Sequence, residues 1–247
     1  MKIAGSIFAS LLAAGVWATP AHADIAGRYE TVDDDTHFQM EMTFEVDDVG
    51  NVRIQQGGSP SYYLLRDGEF YLVGRENGEP SVIRLSDAMV IAGETFDRMG
   101  ARDAFDEVPE FEPFNFSEMG PQTVSGRTGM AYGIVSDGND EPVWASLVIG
   151  DDPRLAPLGR AMAEAQASQV SGMGSLGTML QNLSGNMQEV LNKGAPLRWM
   201  SIELTDVSFD EIPAERFALP SEPISLEELR AASEPAPPPP TLPPRED

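Results

Sequence analysis

Hydrophobic and polar residues alternate without a fault along HFQMEMTFEV, residues 37–46. Phe38, Met40, Met42, Phe44 and Val46 share one face, and Gln39, Glu41, Thr43 and Glu45 share the other. A period of two with one wet face predicts a half-buried antiparallel strand. Residues 47–51, DDVGN, then turn the chain into a second run, VRIQQ. In SYYLLRDGEFYLVGRENGEPSVIRL the pairs Asp67-Gly68 and Asn77-Gly78 separate three β-rich runs, as residues tolerant of positive φ do in tight hairpins. The first third of the chain is expected to be a meander of short strands.

The pattern weakens from Ser86 to Gly120. SDAMVIAGETFDRMG fits strand or helix, and EVPEFEPFNFSEMGP, with prolines among aromatics, is expected to be an irregular, partly buried loop. Alternation returns in GRTGMAYGIVSDGNDEPVWASLVI, two strands with Met130, Tyr132 and Ile134 on one side and a hairpin tip at Asp137–Glu141. Asp152 followed by Pro153 predicts a helix start, with a side-chain acceptor at the cap and proline in the first turn. A second helix is expected over SLGTMLQNLSGNMQEVLNKG, where Leu176, Met179, Leu180, Leu183, Met187, Val190 and Leu191 follow three-and-four spacing. PLRWMSIELTDVSFDEI reads as one more strand, with Met200, Ile202 and Leu204 facing one way. Ser225 and Glu228 predict the capping box of a last short helix.

The ends are different in kind. Residues 1–23 combine a basic start, an apolar run and the small-residue site Ala21-His22-Ala23, the layout of a cleaved secretory signal. Residues 24–231 are expected to form one domain, and 232–247, SEPAPPPPTLPPRED with the alanine before it, a disordered proline-rich tail. The chain has no cysteine, so a periplasmic or secreted protein of this kind rests on its core without disulfides. No transmembrane anchor is expected. With 40 acidic against 16 basic residues and a formal charge of −24, nucleic acid and anionic head groups are repelled.

Motifs for chemistry are absent or out of context. Gly172, Gly174 and Gly177 spell GxGxxG but follow helix-forming sequence, where a dinucleotide site needs a strand. Ser175 lacks the glycine of a nucleophile elbow. His37 stands alone after residue 23, and the runs Asp33–Asp35 and Asp47-Asp48 lack the glycine and closing glutamate of a calcium loop. No catalytic residue, metal ligand or cofactor is assigned. A hydrolase using a carboxylate pair is kept as a third reading.

The order of strand VSGRTGMAYGIVS, strand EPVWASLVIG, helix PRLAPLGRAM, a late strand and the ending IPAERFALP resembles the periplasmic lipoprotein-carrier superfamily, the LolA/LolB-like fold, as an uncharacterised envelope relative. The resemblance covers most of residues 24–231. It implies an α+β fold: a curved antiparallel sheet, an incomplete barrel, covered by two to three helices over an apolar cavity. One difference is visible, since the carriers begin with a helix where this chain enters strand. The implied function is a non-enzymatic exported binding protein holding a lipid, an acyl chain or a lipoprotein. The cavity candidates are Phe38, Met40, Met42, Phe44, Tyr132 and Ile134 from the sheet, Met179, Leu183 and Met187 from the covering helix, and Met200, Ile202 and Leu204 from the late strand. The same side chains also suit a solid core. In that case the chain is an envelope interaction protein, binding a protein partner through its acidic surface or its proline-rich tail.

Overall fold

A computed structural model describes residues 24–31, 39–99, 115–135, 145–170 and 186–233. Residues 1–23, expected to be a secretory signal, the hairpin tip at 137–141, the glycine motif, residues 175–185 of the second expected helix, His37, the tail beyond residue 233 and the candidates Phe38, Met179 and Leu183 lie outside the described residues.

The five strands expected between residues 37 and 85 are present, and a further strand, at Ile25–Thr31, precedes them. The meander thus comprises β1 (Ile25–Thr31), β2 (Glu41–Val46), β3 (Val52–Gln56), β4 (Tyr62–Arg66), β5 (Glu69–Glu76) and β6 (Glu79–Arg84). Asp67 and Asn77 take φ of 53° and 52°, each followed by a glycine with positive φ, so both hairpins use the turn their sequences specify. Then come α1 (Leu85–Arg98), β7 (Asn115–Val124), β8 (Arg127–Val135), β9 (Ala145–Gly150), α2 (Ala156–Val170) and α3 (Met187–Leu191). The chain returns through β10 (Ala195–Trp199) and β11 (Ile202–Ser208), a 3-10 turn at Ala214–Phe217, and α4 (Leu226–Ala232). All eleven strands form one open antiparallel sheet in the order β6-β5-β4-β3-β2-β1-β11-β10-β9-β8-β7. The architecture is α+β, and β1, paired with both β2 and β11, joins its two halves.

Three expectations need correction. The segment from Asn115 is strand β7, not loop. A register shift between Glu118 and Gly120, with Gly120 at φ 104°, breaks the alternation, and Pro121 is tolerated because β7 is an edge strand. The late segment is a hairpin rather than a single strand. Met200 sits in its turn at φ 55° and is 42 % exposed, so it leaves the face that holds Ile202 and Leu204. The helix after Asp152 begins at Ala156. Asp152 instead builds a preceding turn, its carboxylate accepting the Arg154 N–H at 3.0 Å and its carbonyl the Leu155 N–H at 3.0 Å. SDAMVIAGETFDRMG, which fitted either state, is helical, and α4 carries the expected capping box of Ser225 and Glu228.

The main core runs from Phe70 of β5 through Val52, Phe44, Tyr29 and Leu204 to Val148 of β9, against Leu158, Ala161, Met162 and Ala165 of α2. At its centre Tyr29 meets Phe44 edge-on at 5.5 Å and donates its buried hydroxyl to the Pro196 carbonyl at 2.9 Å. A second cluster joins Phe116, Tyr132, Leu147 and Ile149 to Ala163 of α2 and to Val190 and Leu191 of α3. A third seats Phe217 of the 3-10 turn on Leu64, Val73 and Val82. Both sheet edges are blunted: Ile224 donates its N–H to the Val82 carbonyl at 2.8 Å, and the Asn186 side chain covers β7 at Phe116. Unpaired edges recruit other strands, so such covers disfavour edge-to-edge association.

Candidate functional site

Three adjoining clefts open along one side of α2, and Glu164 lines all of them. The β2–β3 and β4–β5 turns border them. In a meander alternate turns fall at the same end of the sheet, so these two are neighbours by construction.

The β2–β3 turn is shaped by Asp47. Its Oδ1 accepts the N–H groups of Val49 (3.1 Å) and Asn51 (2.7 Å), and its Oδ2 accepts the Asn51 side-chain amide at 2.7 Å. This local pattern competes well with extended backbone and fixes an aspartate turn. Asp48 is tied down through its own N–H, donated to Asp24 Oδ1 at 3.0 Å. Val49 is thereby held at the lip, 78 % exposed.

On α2 the residues Pro157, Arg160, Ala161 and Glu164 are spaced by three and four and so share one face. Between that face and the β2–β3 turn lies a cleft of about 220 Å³ floored by Val46, Val52 and Ala161. The next, of about 430 Å³, is floored by Leu65, Phe70, Leu85 and Ala167. The widest, of about 820 Å³, joins both turns to the 3-10 turn, reaching Phe217 and Glu215. Small-molecule sites commonly span ~300–1,000 Å³ with an apolar lining and few polar groups. The two larger clefts fall in that size range and the smallest below it, and the widest is lined as much by polar turn residues as by apolar ones.

The 3-10 turn is placed by charge. Glu45, on the opposite face of β2 from Phe44 and only 9 % exposed, accepts from Arg216 Nε at 2.9 Å and Nη2 at 2.6 Å, and from Arg53 Nη1 at 3.3 Å. Arg53 also lies over the Tyr62 ring at 4.1 Å. The bidentate pair orients Arg216 more strictly than a single contact would, and Phe217 is carried into its socket as a result.

The rim of the clefts is acidic. Asp48, Glu69, Glu164 and Glu215 stand on it, and among the described residues the Glu164 carboxylate has no ion-pair or hydrogen-bond partner. Arg66 is drawn to Asp67 at 3.4 Å, which leaves Arg160 as the cation on the α2 side.

The residues expected to line a cavity lie elsewhere. Phe44, Ile202 and Leu204 are buried in the main core with Met40 and Met42 packed on it, while Tyr132, Ile134 and Met187 belong to the cluster beneath α3. None of the described candidates lines the three clefts. Burial raises the Tyr29 phenol far above its ordinary value, and burial also raises that of Tyr132, whose hydroxyl meets Glu118 at 3.2 Å beneath Lys193. Among the described residues no three His, Cys, Asp or Glu side chains converge as a metal site, and no helix is long and apolar enough to cross a membrane.

The sequence reasoning missed the cleft residues. Asp47 and Asp48 stood out as a turn and as an acidic pair without the pattern of a calcium loop, and nothing singled out Glu164 in the helix expected after Asp152. The legible signal was the meander itself, which brings the turns at Asp47–Gly50 and Asp67-Gly68 to one end. Comparison of the chain with protein-family models, curated proteins and solved structures finds no match.

Proposed function

We propose that this chain is an exported, non-enzymatic binding protein on an incomplete β-barrel of the lipoprotein-carrier type, and that it receives an apolar chain in the clefts beside α2. One observation carries the reading: two apolar-floored clefts and a wider, more polar one meet at a single residue, Glu164, on the helix that packs against the sheet.

Packing supports a bent sheet. Laid flat, the eleven strands would span nearly 50 Å at a spacing of ~4.8 Å, whereas α2, with 15 residues, is ~22 Å long. Yet side chains from β1 to β5 and from β7 to β11 share one cluster with α2. A sheet curved around the helix accounts for that sharing, and the clefts then lie where the helix meets the rim of the curve. Kinship with the carriers remains part of the proposal.

The test is saturable binding of a neutral, environment-sensitive apolar dye, read by fluorescence, beside native mass spectrometry of protein taken from the cell envelope. One-to-one binding that is lost when Ala161 is replaced by a bulky Phe supports the reading. Absence of saturable binding, with protein that is consistently empty, overturns it.

A second reading is favoured by the packing of the original candidates. Since Phe44, Tyr132, Ile202 and Leu204 fill the core, the chain also suits an envelope interaction protein with no internal ligand. A partner lost on truncation after Ser233 would support that alternative.

A further inference from the structure

We infer that the occupant of the α2 clefts is a cationic amphiphile, an alkyl chain bearing an ammonium-type head. The inference rests on the reading above and names its ligand class. Two features of different kind point the same way. The floors are hydrocarbon: Val46, Val52 and Ala161 in one cleft, Leu65, Phe70 and Leu85 in the next. An exposed Val49 at the lip extends this surface outward. Such a surface gains from burying methylene groups and is indifferent to their sequence.

The rim decides the head group. Asp48, Glu69, Glu164 and Glu215 are carboxylates there, Asp67 is already engaged by Arg66, and Arg160 is the opposing cation. A fatty acid or a phosphate head would meet four rim carboxylates against one opposing cation, Arg160, within a protein whose overall charge is −24. An ammonium head finds opposite charge at the same distance from the apolar floor. A cleft with low-dielectric walls focuses this field beyond what the same acids achieve on a flat surface. The site therefore discriminates by repulsion as well as attraction. A bare cation uses the rim and wastes the floor; a neutral alkane does the reverse.

The experiment is calorimetric titration of the full mature chain with three dodecyl amphiphiles below their micellar concentrations: trimethylammonium, maltoside and sulfate. Tetramethylammonium, pentalysine and calcium are run alongside as heads without a chain. One-to-one binding of dodecyltrimethylammonium is expected, weakened roughly fivefold by Glu164→Gln and about tenfold or more by the double change Glu164→Gln with Asp48→Asn. Added salt should weaken it in the same direction. The charge-matched control Glu76→Gln with Glu79→Gln, on the distant β5–β6 turn, should leave it unchanged. If the maltoside binds equally well and Glu164→Gln has no effect, the cationic inference falls while the apolar-ligand reading survives. If no amphiphile binds, both fall. If pentalysine or calcium binds as tightly as the amphiphile, or if the control weakens binding as much as Glu164→Gln, the inference is overturned in favour of plain charge attraction.

Discussion

The Asn186 side-chain amide pairs with both backbone groups of Phe116, accepting its N–H at 2.7 Å and donating to its carbonyl at 3.1 Å, across a separation of 70 residues. A strand at the edge of a sheet has alternate residues whose N–H and C=O point away from the ladder. Here an asparagine stands in for the missing neighbour. It ties α3 to β7 just where Phe116 enters the cluster of Val190 and Leu191. Replacement by Leu leaves two part-buried backbone groups unsatisfied, a loss of about 1–3 kcal/mol. Urea unfolding should show that loss, and amide exchange at Phe116 should accelerate more than at its β8 partner Ile134. Unchanged exchange at Phe116 would refute the role.

A second expectation concerns alkaline pH. The Tyr29 phenol is held well above its ordinary value of 10.0, first by burial and with only partial relief from Arg127. Below that ordinary value the group is protonated in both folded and unfolded chains and adds no slope. Above it the unfolded chain releases the proton and the folded chain keeps it, so stability falls by about 1.4 kcal/mol per pH unit for this group. Tyr29→Phe should remove that part of the alkaline slope, leaving a smaller part from Tyr132, whose phenol burial also raises. At neutral pH the same change removes the buried hydrogen bond to the Pro196 carbonyl and should cost about 1–2 kcal/mol. Denaturant midpoints from pH 7 to 11 test both parts.

Two helical glycines should respond in opposite directions. Gly93, inside α1, has open space where a Cβ would stand, so Gly93→Ala should stabilise by roughly 0.5–1 kcal/mol through helix propensity alone. Gly159, in α2, would place a Cβ 2.0 Å from the Gly194 carbonyl oxygen, and Gly194 in turn packs against the Gly150 carbonyl. Backbone against backbone cannot be relieved by a rotamer change. The overpacking cost of about 3 kcal/mol exceeds the propensity gain of about 1, so Gly159→Ala should lose about 2 kcal/mol net. Thermal melts should separate the pair by several degrees. A stabilised Gly159→Ala would mean that α2 does not sit so close to β10, and the clefts beside it would need redrawing.

These glycines also show what was legible beforehand. The hairpins at Asp67-Gly68 and Asn77-Gly78, the capping box at Ser225 and the apolar face of β2 follow from local rules, because turn chemistry and alternation act over a few residues. Glu45 of the expected wet face, by contrast, is buried against Arg216 and Arg53. β7 escaped because a bulge at Gly120 and the adjacent Pro121 interrupt the period, both tolerated only at an edge that no local pattern announces. The Met200 turn escaped because a non-glycine residue at positive φ is held by its surroundings, with its N–H bonded to the Ser146 carbonyl. The candidate site was the least visible part. Phe44 and Leu204 carry the periodicity of a buried face whether that face lines a void or packs against α2, and only tertiary packing decides between the two. Glu164, by contrast, gains its meaning from turns more than ninety residues earlier.

The last prediction concerns acid. α4 buries none of its residues and is held to α1 by Arg230, which donates to Glu94 through Nε at 3.0 Å and Nη2 at 2.6 Å. The hydrogen bond from Arg230, and then its charge, hold the Glu94 carboxyl below its ordinary value of 4.5, with Arg98 adding to the effect. Hydrogen bonds from the Ser225 hydroxyl and N–H likewise hold Glu228 below the same value. A carboxyl depressed in the folded state contributes stability that is complete above its unfolded pKa and is lost as pH falls through the folded one. Docking of α4 should therefore be steady at neutral pH and weaken progressively once the pH drops below about 4.5, with high salt shifting the loss toward neutrality because the pair is exposed. Hydrogen exchange of residues 229–233 at pH 7, 4 and 3 reads this directly. In Arg230→Gln the helix should exchange faster already at pH 7 and keep only the Glu228 part of the acid dependence. If exchange in the variant matches the parent at every pH, α4 is held by something other than this ion pair.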